Sequence, residues 1–247
     1  MRASVFLLLR YLKPGNKSRT YTFFSLAALT GIALGVTTLV VAFSILGGYE
    51  KVMSEKLTSF DADIQIYGYG NQDLGGVDTA KTKITLTAGD LLKSIDISAQ
   101  KICILGKNRI NEGVTIKGVI SGYLESRTSL QLLDGSFNLE RGVDSLPGIL
   151  IGKTLATKLR VKSGDKINFF AINQVDLQNM TALPAVENFV VAGIFKTGMG
   201  KYDDSFAYTS LRELQRLYEM GENINLLEIK LKPGSNIDSI KQSIQTQ

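Results

Sequence analysis

The sequence predicts an α+β protein, with one N-terminal transmembrane helix followed by an exported α/β domain that carries an inserted β-rich subdomain. Three observations carry that expectation. Thirty consecutive residues without a charge lie between Arg19 and Glu50. The remaining chain alternates strand-like and helix-like runs, as small α/β layers do. The texture of residues 49–120 then returns at 222–247, which brackets residues 121–221 as an insertion.

The uncharged run, TYTFFSLAALTGIALGVTTLVVAFSILGGY, exceeds the ~20 apolar residues that cross a bilayer. It has no polar face, unlike a core helix of a soluble protein. It is also about twice the length of a signal-peptide apolar region. We assign the span to residues 22–48, with Gly31 and Gly35 forming a G-x-x-x-G packing point for a second helix.

Charge sets the direction of insertion. Arg2, Arg10, Lys13, Lys17 and Arg19 precede the span without a single acid. Of 28 basic residues these five lie before the helix, which leaves 23 against 23 acids after it. The positive-inside rule therefore places the N-terminus in the cytoplasm and the large domain outside. Residues 1–21 read as a basic amphipathic segment on the cytoplasmic face. The balanced domain argues against nucleic-acid binding, despite a basic pI for the whole chain.

Residues 50–57 continue the span as helix, and 61–69 alternate like a half-buried strand. A helix is expected at 88–95, with strands at 98–105 and 112–120. Further on come a strand at 149–151, a helix at 153–159, and strands at 166–172, 189–195 and 206–209. Residues 198–204 read as a loop. Ser210 caps a helix running to 220. A strand at 225–231 and a helix at 236–244 follow.

Candidate chemistry is sparse. The chain has no histidine, which removes the commonest metal ligand and acid–base group, and Cys103 sits in an apolar run as a small core residue. The stretch Pro147-Gly148-Ile149-Leu150-Ile151-Gly152-Lys153-Thr154 approaches a phosphate-binding loop. Its first glycine is misplaced, however, and Ile-Leu-Ile prefers a strand. The pairs Asp61/Asp63 and Asp203/Asp204 read as solvated turn carboxylates, since no calcium-type ligand spacing surrounds them. No catalytic, cofactor-binding or metal site is expected.

Several stretches together resemble one family. Arg10-Tyr11-Leu12, Gly31 to Val36 (GIALGV) and Ser44 to Glu50 (SILGGYE) are similar to the first membrane segment of lipoprotein-releasing ABC permeases. The run 148–153 with Leu155-Ala156 and Leu159, then 161–165 (VKSGD), 193–195 (GIF), 198–205 (GMGKYDDS) and 211–217, resembles that family's exported domain. The family is Lol-type, within a superfamily sharing a MacB-like periplasmic core domain.

The resemblance implies a non-catalytic subunit in the inner membrane, with residues 49–120 plus 222–247 as a porter-like periplasmic subdomain. It implies a separate cytoplasmic ATPase subunit, a second permease subunit (homo- or heterodimer), a lipoprotein cargo and a periplasmic lipoprotein carrier. It further implies a carrier-binding hook in the insert at 173–187, for which Val175, Leu177, Met180, Leu183, Pro184 and Val186 are candidates. Two departures stand out. The insert lacks the family's basic residues, and the chain stops at Gln247, where the second of four family helices should soon begin. A truncated or split permease is therefore expected. An efflux-type permease and a membrane-tethered periplasmic scaffold remain alternative readings.

Overall fold

The computed structural model describes residues 19–60, 62–68, 72–127, 129–142, 145–172, 185–232, 234–235 and 237–245. The chain divides into two units, Met1–Lys56 and Leu57–Gln247.

The first unit is dominated by helix α1, Arg19–Phe60, whose stretch Phe23–Glu50 is long and apolar enough to cross a membrane and is wholly unburied by protein. The helix continues past Glu50 as its sequence implied. Thr30, Thr37 and Thr38 donate their hydroxyls to the carbonyls of Leu26, Ala33 and Leu34 at 3.0, 2.7 and 2.8 Å. Each thus satisfies itself within the helix, as a hydroxyl in hydrocarbon must. Gly31 and Gly35 share one face, and a methyl group added at either would meet nothing.

In the second unit the described strands form one nine-stranded sheet. In chain order these are β1 (Ile64–Tyr67), β2 (Leu92–Lys107), β3 (Ile110–Val119), β4 (Gln131–Gly135), β5 (Gly148–Gly152), β6 (Lys166–Ala171), β7 (Val186–Lys196), β8 (Phe206–Ser210) and β9 (Leu226–Leu231). The helices are α2 (Val77–Ala88), α3 (Lys153–Leu159), α4 (Gly200–Ser205), α5 (Leu211–Leu217) and α6 (Ile237–Gln245).

The long strand β2 organises the sheet. Along one edge it pairs with β9 over its first half and with β6 over Cys103–Gly106; along the other it pairs with β3. From β3 the pairing passes in parallel to β8, antiparallel to β5, in parallel to β7 and antiparallel to β6, which returns to β2. Six strands thus close a ring, to which residues 92–119 and residues 148–210 both contribute. Phe169, Phe189, Leu105, Ile116, Ile149 and Ile151 lie fully buried in the main core. Cys103 is buried with them, and burial pushes its thiol well above the usual range. It is a packing residue.

Four elements differ from expectation, one of them β4, Gln131–Gly135, where no strand was expected. The helix expected at 88–95 does not form there: Gly89–Leu91 is a 3-10 turn and Leu92 already belongs to β2, while the helix lies upstream as α2, Val77–Ala88. Four threonines in VDTAKTKITLTA lower its helical signal, because β-branched side chains lose χ1 freedom in a helix. Three of them recover their hydroxyl hydrogen bonds at the carbonyls of Asp78, Lys81 and Lys83, each at 2.8 Å. Gly89, at φ 47, ends the helix in a backbone conformation that suits glycine. The loop expected at 198–204 contains the single turn α4. The helix capped by Ser210 ends at Leu217 rather than 220, its cap confirmed by the Glu213 N–H donating to Ser210 Oγ at 3.4 Å.

Candidate functional site

Strands β6 and β7 pair in antiparallel register from Lys166↔Val190 to Phe170↔Val186. One further bond, Ala171 N–H to the Ala185 carbonyl at 2.9 Å, closes the hairpin just before residues 173–184. The two strands that bracket the insert are therefore direct neighbours. Alternation fixes what each face does. Phe169 and Phe189 point into the core with ring centroids 4.9 Å apart, whereas Val186 at the head of β7 is 58% exposed.

Glu187, the next residue, ties the hairpin to α5. Arg141 forms a two-pronged pair with Glu213, Nε to Oε1 and Nη2 to Oε2, both at 2.7 Å. Arg216 Nε donates to Glu213 Oε2 at 3.0 Å, and its Nη2 donates to Glu187. Arg141 Nη2 also reaches Glu187 Oε1 at 3.4 Å. Two cations and two anions thus alternate around one square, with the planar guanidinium forks matched to carboxylates. Burial pushes the Glu213 carboxyl up, but the hydrogen bonds and charges of Arg141 and Arg216 outweigh it and hold the group below its ordinary range. The Glu187 bond raises Arg216, and the Glu213 bond raises Arg141.

The sign of the pH effect follows. A depressed carboxyl stabilises the fold above its unfolded pKa and loses that contribution as pH falls through the folded value. Glu213→Gln should lower stability by about 1 kcal/mol at neutral pH. The gap to the unmodified chain should then close as pH drops below the ordinary carboxylate range. Urea midpoints by circular dichroism between pH 7 and pH 3 check this, and a gap that stays constant would refute the assignment.

Of the hook candidates, Val186 stands on this hairpin; Val175, Leu177, Met180, Leu183 and Pro184 lie outside the described residues. The near-miss phosphate loop is β5, a fully buried strand, with Gly152 in extended conformation entering α3. Asp61 lies outside the described residues. Among the other paired acids, two are not solvated. Asp63 accepts the Leu231 N–H at 2.7 Å. Asp203 is buried and accepts from Thr197 N–H at 2.7 Å, Thr197 Oγ1 at 2.9 Å and Gly198 N–H at 3.2 Å. Asp203 holds the turn that begins at Thr197, and Asp63 takes the N–H of the last residue of β9. Asp204 pairs with Lys158 at 2.6 Å.

The family model for the MacB-like periplasmic core domain matches residues 25–247. This chain belongs to that family. Among curated relatives, a lipoprotein-releasing system transmembrane protein LolC from Neisseria meningitidis is 24% identical over 243 residues, covering 96% of this chain and 56% of that protein. A protein of the same name from Xylella fastidiosa is 25% identical over 237 residues, covering 92% and 54%. The chain therefore spans about half the length of the curated relatives it matches. Among solved structures, the periplasmic region of MacB from Actinobacillus actinomycetemcomitans has a TM-score of 0.48 at 14% identity, over 77% of this chain and 84% of that one.

This MacB-like core domain also contains a buried polar cluster that sequence reasoning missed. Lys117 on β3 donates to Glu228 Oε1 on β9 and to the Tyr123 hydroxyl, both at 2.7 Å. Tyr123 in turn donates to Glu228, with its oxygen 3.0 and 3.1 Å from the two carboxylate oxygens, and Ser98 Oγ donates at 3.1 Å. Burial, then the Glu228 charge, pushes the Tyr123 hydroxyl far above its usual range, so it remains a donor at every physiological pH. These residues lie up to 130 positions apart, and nothing in their local sequence marks them as partners.

Proposed function

We propose that this chain is a permease subunit of an ABC transporter that releases lipoproteins from the inner membrane to a periplasmic carrier. The observation that carries the reading is the braced β6–β7 hairpin, within a family-matched core domain that shares its chain with an apolar membrane-length helix. Relatives named for lipoprotein release support the same cargo class. In this reading α1 is the first membrane helix, with its N-terminus cytoplasmic and the large domain periplasmic. Gly31 and Gly35 pack it against another helix, and a separate cytoplasmic subunit hydrolyses ATP. The porter-like division at residues 49–120 plus 222–247, with 121–221 inserted, belongs to the same reading.

The hairpin root gives the hook a mechanical rationale. A projecting segment transmits motion only if its base is stiff, and the Arg141–Glu213–Arg216–Glu187 square and the Phe169–Phe189 contact follow one another along the inner face of the hairpin and brace its root. Val175, Leu177, Met180, Leu183, Pro184 and Val186 form the apolar carrier contact. A photoreactive residue at Met180 or Leu183, placed in the assembled complex in membranes, should crosslink to the periplasmic lipoprotein carrier. The same probe at exposed Leu86 on α2 should not. Equal labelling at both places, or none at the hook, would remove the assignment.

A further inference from the structure

Helix α3, the turn that follows it, and strands β4 and β7 border an open groove of about 420 Å³. Ala156, Val161 and Ile194 line it with Leu133, and Lys153, Arg160 and Lys162 stand around them against the single carboxylate of Asp134. These four charged groups are exposed. Neighbouring cations are committed elsewhere: Lys158 pairs with Asp204 at 2.6 Å and Lys107 with Asp165 at 2.8 Å. Asp165 accepts the Lys162 backbone N–H at 2.8 Å, but no ion pair joins their side chains. Lys153, Arg160 and Lys162 make no ion pair among the described residues.

Two backbone irregularities shape the groove. α3 ends in a Schellman turn, with Arg160 N–H donating to the Thr157 carbonyl at 3.3 Å and Val161 N–H to the Ala156 carbonyl at 3.0 Å. Glycine is the usual occupant of the left-handed position in such a turn, yet Arg160 stands there at φ 55. The two buried residues that the turn joins, Ala156 and Val161, belong to the groove lining. In β4 the register with β7 passes from Leu132↔Phe195 to Asp134↔Ile194, so Leu133 is the extra residue of a bulge and is 43% exposed. A cation and an apolar side chain thus face one groove from positions where neither completes the core.

We infer that this groove docks an acidic segment of another protein chain, one that sets carboxylates beside apolar side chains. An occupant that covers Leu133 and Ile194 takes the surrounding cations partly out of water, and must supply acceptors in its place. Carboxylates do so, and they match the guanidinium fork of Arg160. Lys153 and Arg160 lie seven residues apart, about 10 Å along a helix axis, so the positive charge is spread along the groove. Carboxylates repeated along a chain fit that spread better than the single phosphate of a lipid headgroup. The inference is independent of the hook and of the cargo.

The test titrates the full chain, in phosphatidylcholine nanodiscs, into a dye-labelled helical peptide bearing glutamates and leucines on one face. Fluorescence anisotropy reads the binding, and the same peptide with glutamine for every glutamate is the comparison. The acidic peptide should bind, and the glutamine version should bind more weakly. Lys153→Gln and Arg160→Gly should each lower the affinity of the acidic peptide about tenfold, the loss of one charge-assisted contact. Arg160→Gly also relieves the left-handed backbone, so its thermal midpoint should not fall and the lost affinity is not lost folding. Leu133→Ser should weaken binding too, whereas Lys93→Gln, outside the groove, should leave it unchanged. Failure of the acidic peptide to bind overturns the inference, as does equal binding of the glutamine version. So does binding that ignores Lys153→Gln and Arg160→Gly, or that weakens equally in Lys93→Gln. Displacement of the peptide by short-chain phosphatidylglycerol as readily as by unlabelled peptide would assign the groove to a lipid headgroup and overturn the docking of a protein segment.

Discussion

Lys117→Met should destabilise the folded chain by about 3–5 kcal/mol, the cost of leaving a buried charge without its partner. Glu228 is fully buried, and Lys117 contributes both its opposite charge and a 2.7 Å donor. The Tyr123 and Ser98 hydroxyls remain, but neither carries charge. The double change Lys117→Met with Glu228→Met should recover at least half of that loss. Replacing a whole buried pair with apolar groups removes the desolvation cost along with the attraction. The measurement is a double-mutant cycle on urea midpoints in detergent micelles, followed by circular dichroism because the chain contains no tryptophan. A loss below about 1 kcal/mol in the single variant, or additive losses in the double, would show that the pair is not formed as described.

The same cluster shows where sequence reading stops. In β3, Val114 and Ile116 alternate with Thr115 and Lys117, so the pattern assigns Lys117 to a solvated face. The face is instead covered by the 121–127 turn, whose Tyr123 ring lies 5.0 Å from the lysine nitrogen. Periodicity reports which residues share a face, but not what later segments lay upon it. The strands at 149–151, 166–172, 189–195 and 225–231 were legible because their apolar runs are short, β-branched or aromatic, and bounded by turn residues. The long apolar helix was legible from the length of its uncharged run alone. The hairpin could be anticipated from the two strands that flank the insert. Its brace could not, since Arg141, Glu187, Glu213 and Arg216 come from three separated segments, and only the Glu213/Arg216 spacing is local.

Gly152 connects the misleading motif to the actual fold, and its replacement is the second large effect. A methyl group there would lie 2.4 Å from the Asp203 carbonyl oxygen, 2.7 Å from its carbon and 2.8 Å from its Cα. All three atoms are backbone, so no rotamer change relieves the clash. Asp203 cannot retreat easily either, because its own carboxylate is fixed by the Thr197 and Gly198 N–H groups. Gly152→Ala should therefore cost about 3 kcal/mol or more, the upper end of overpacking penalties. Gly113→Ala in β3, where the added methyl meets nothing, should stay within about 0.5 kcal/mol. The decisive comparison is the Asp203→Ala background. That change weakens the fold by itself, but it frees the turn to move, so Gly152→Ala should cost markedly less there than in the unmodified chain. Equal costs in the two backgrounds would mean that the rigidity of α4 is not what makes glycine necessary at the end of β5. Unequal costs would place the constraint in packing of the strand–helix junction, which accounts for a glycine at this position without any phosphate to cradle.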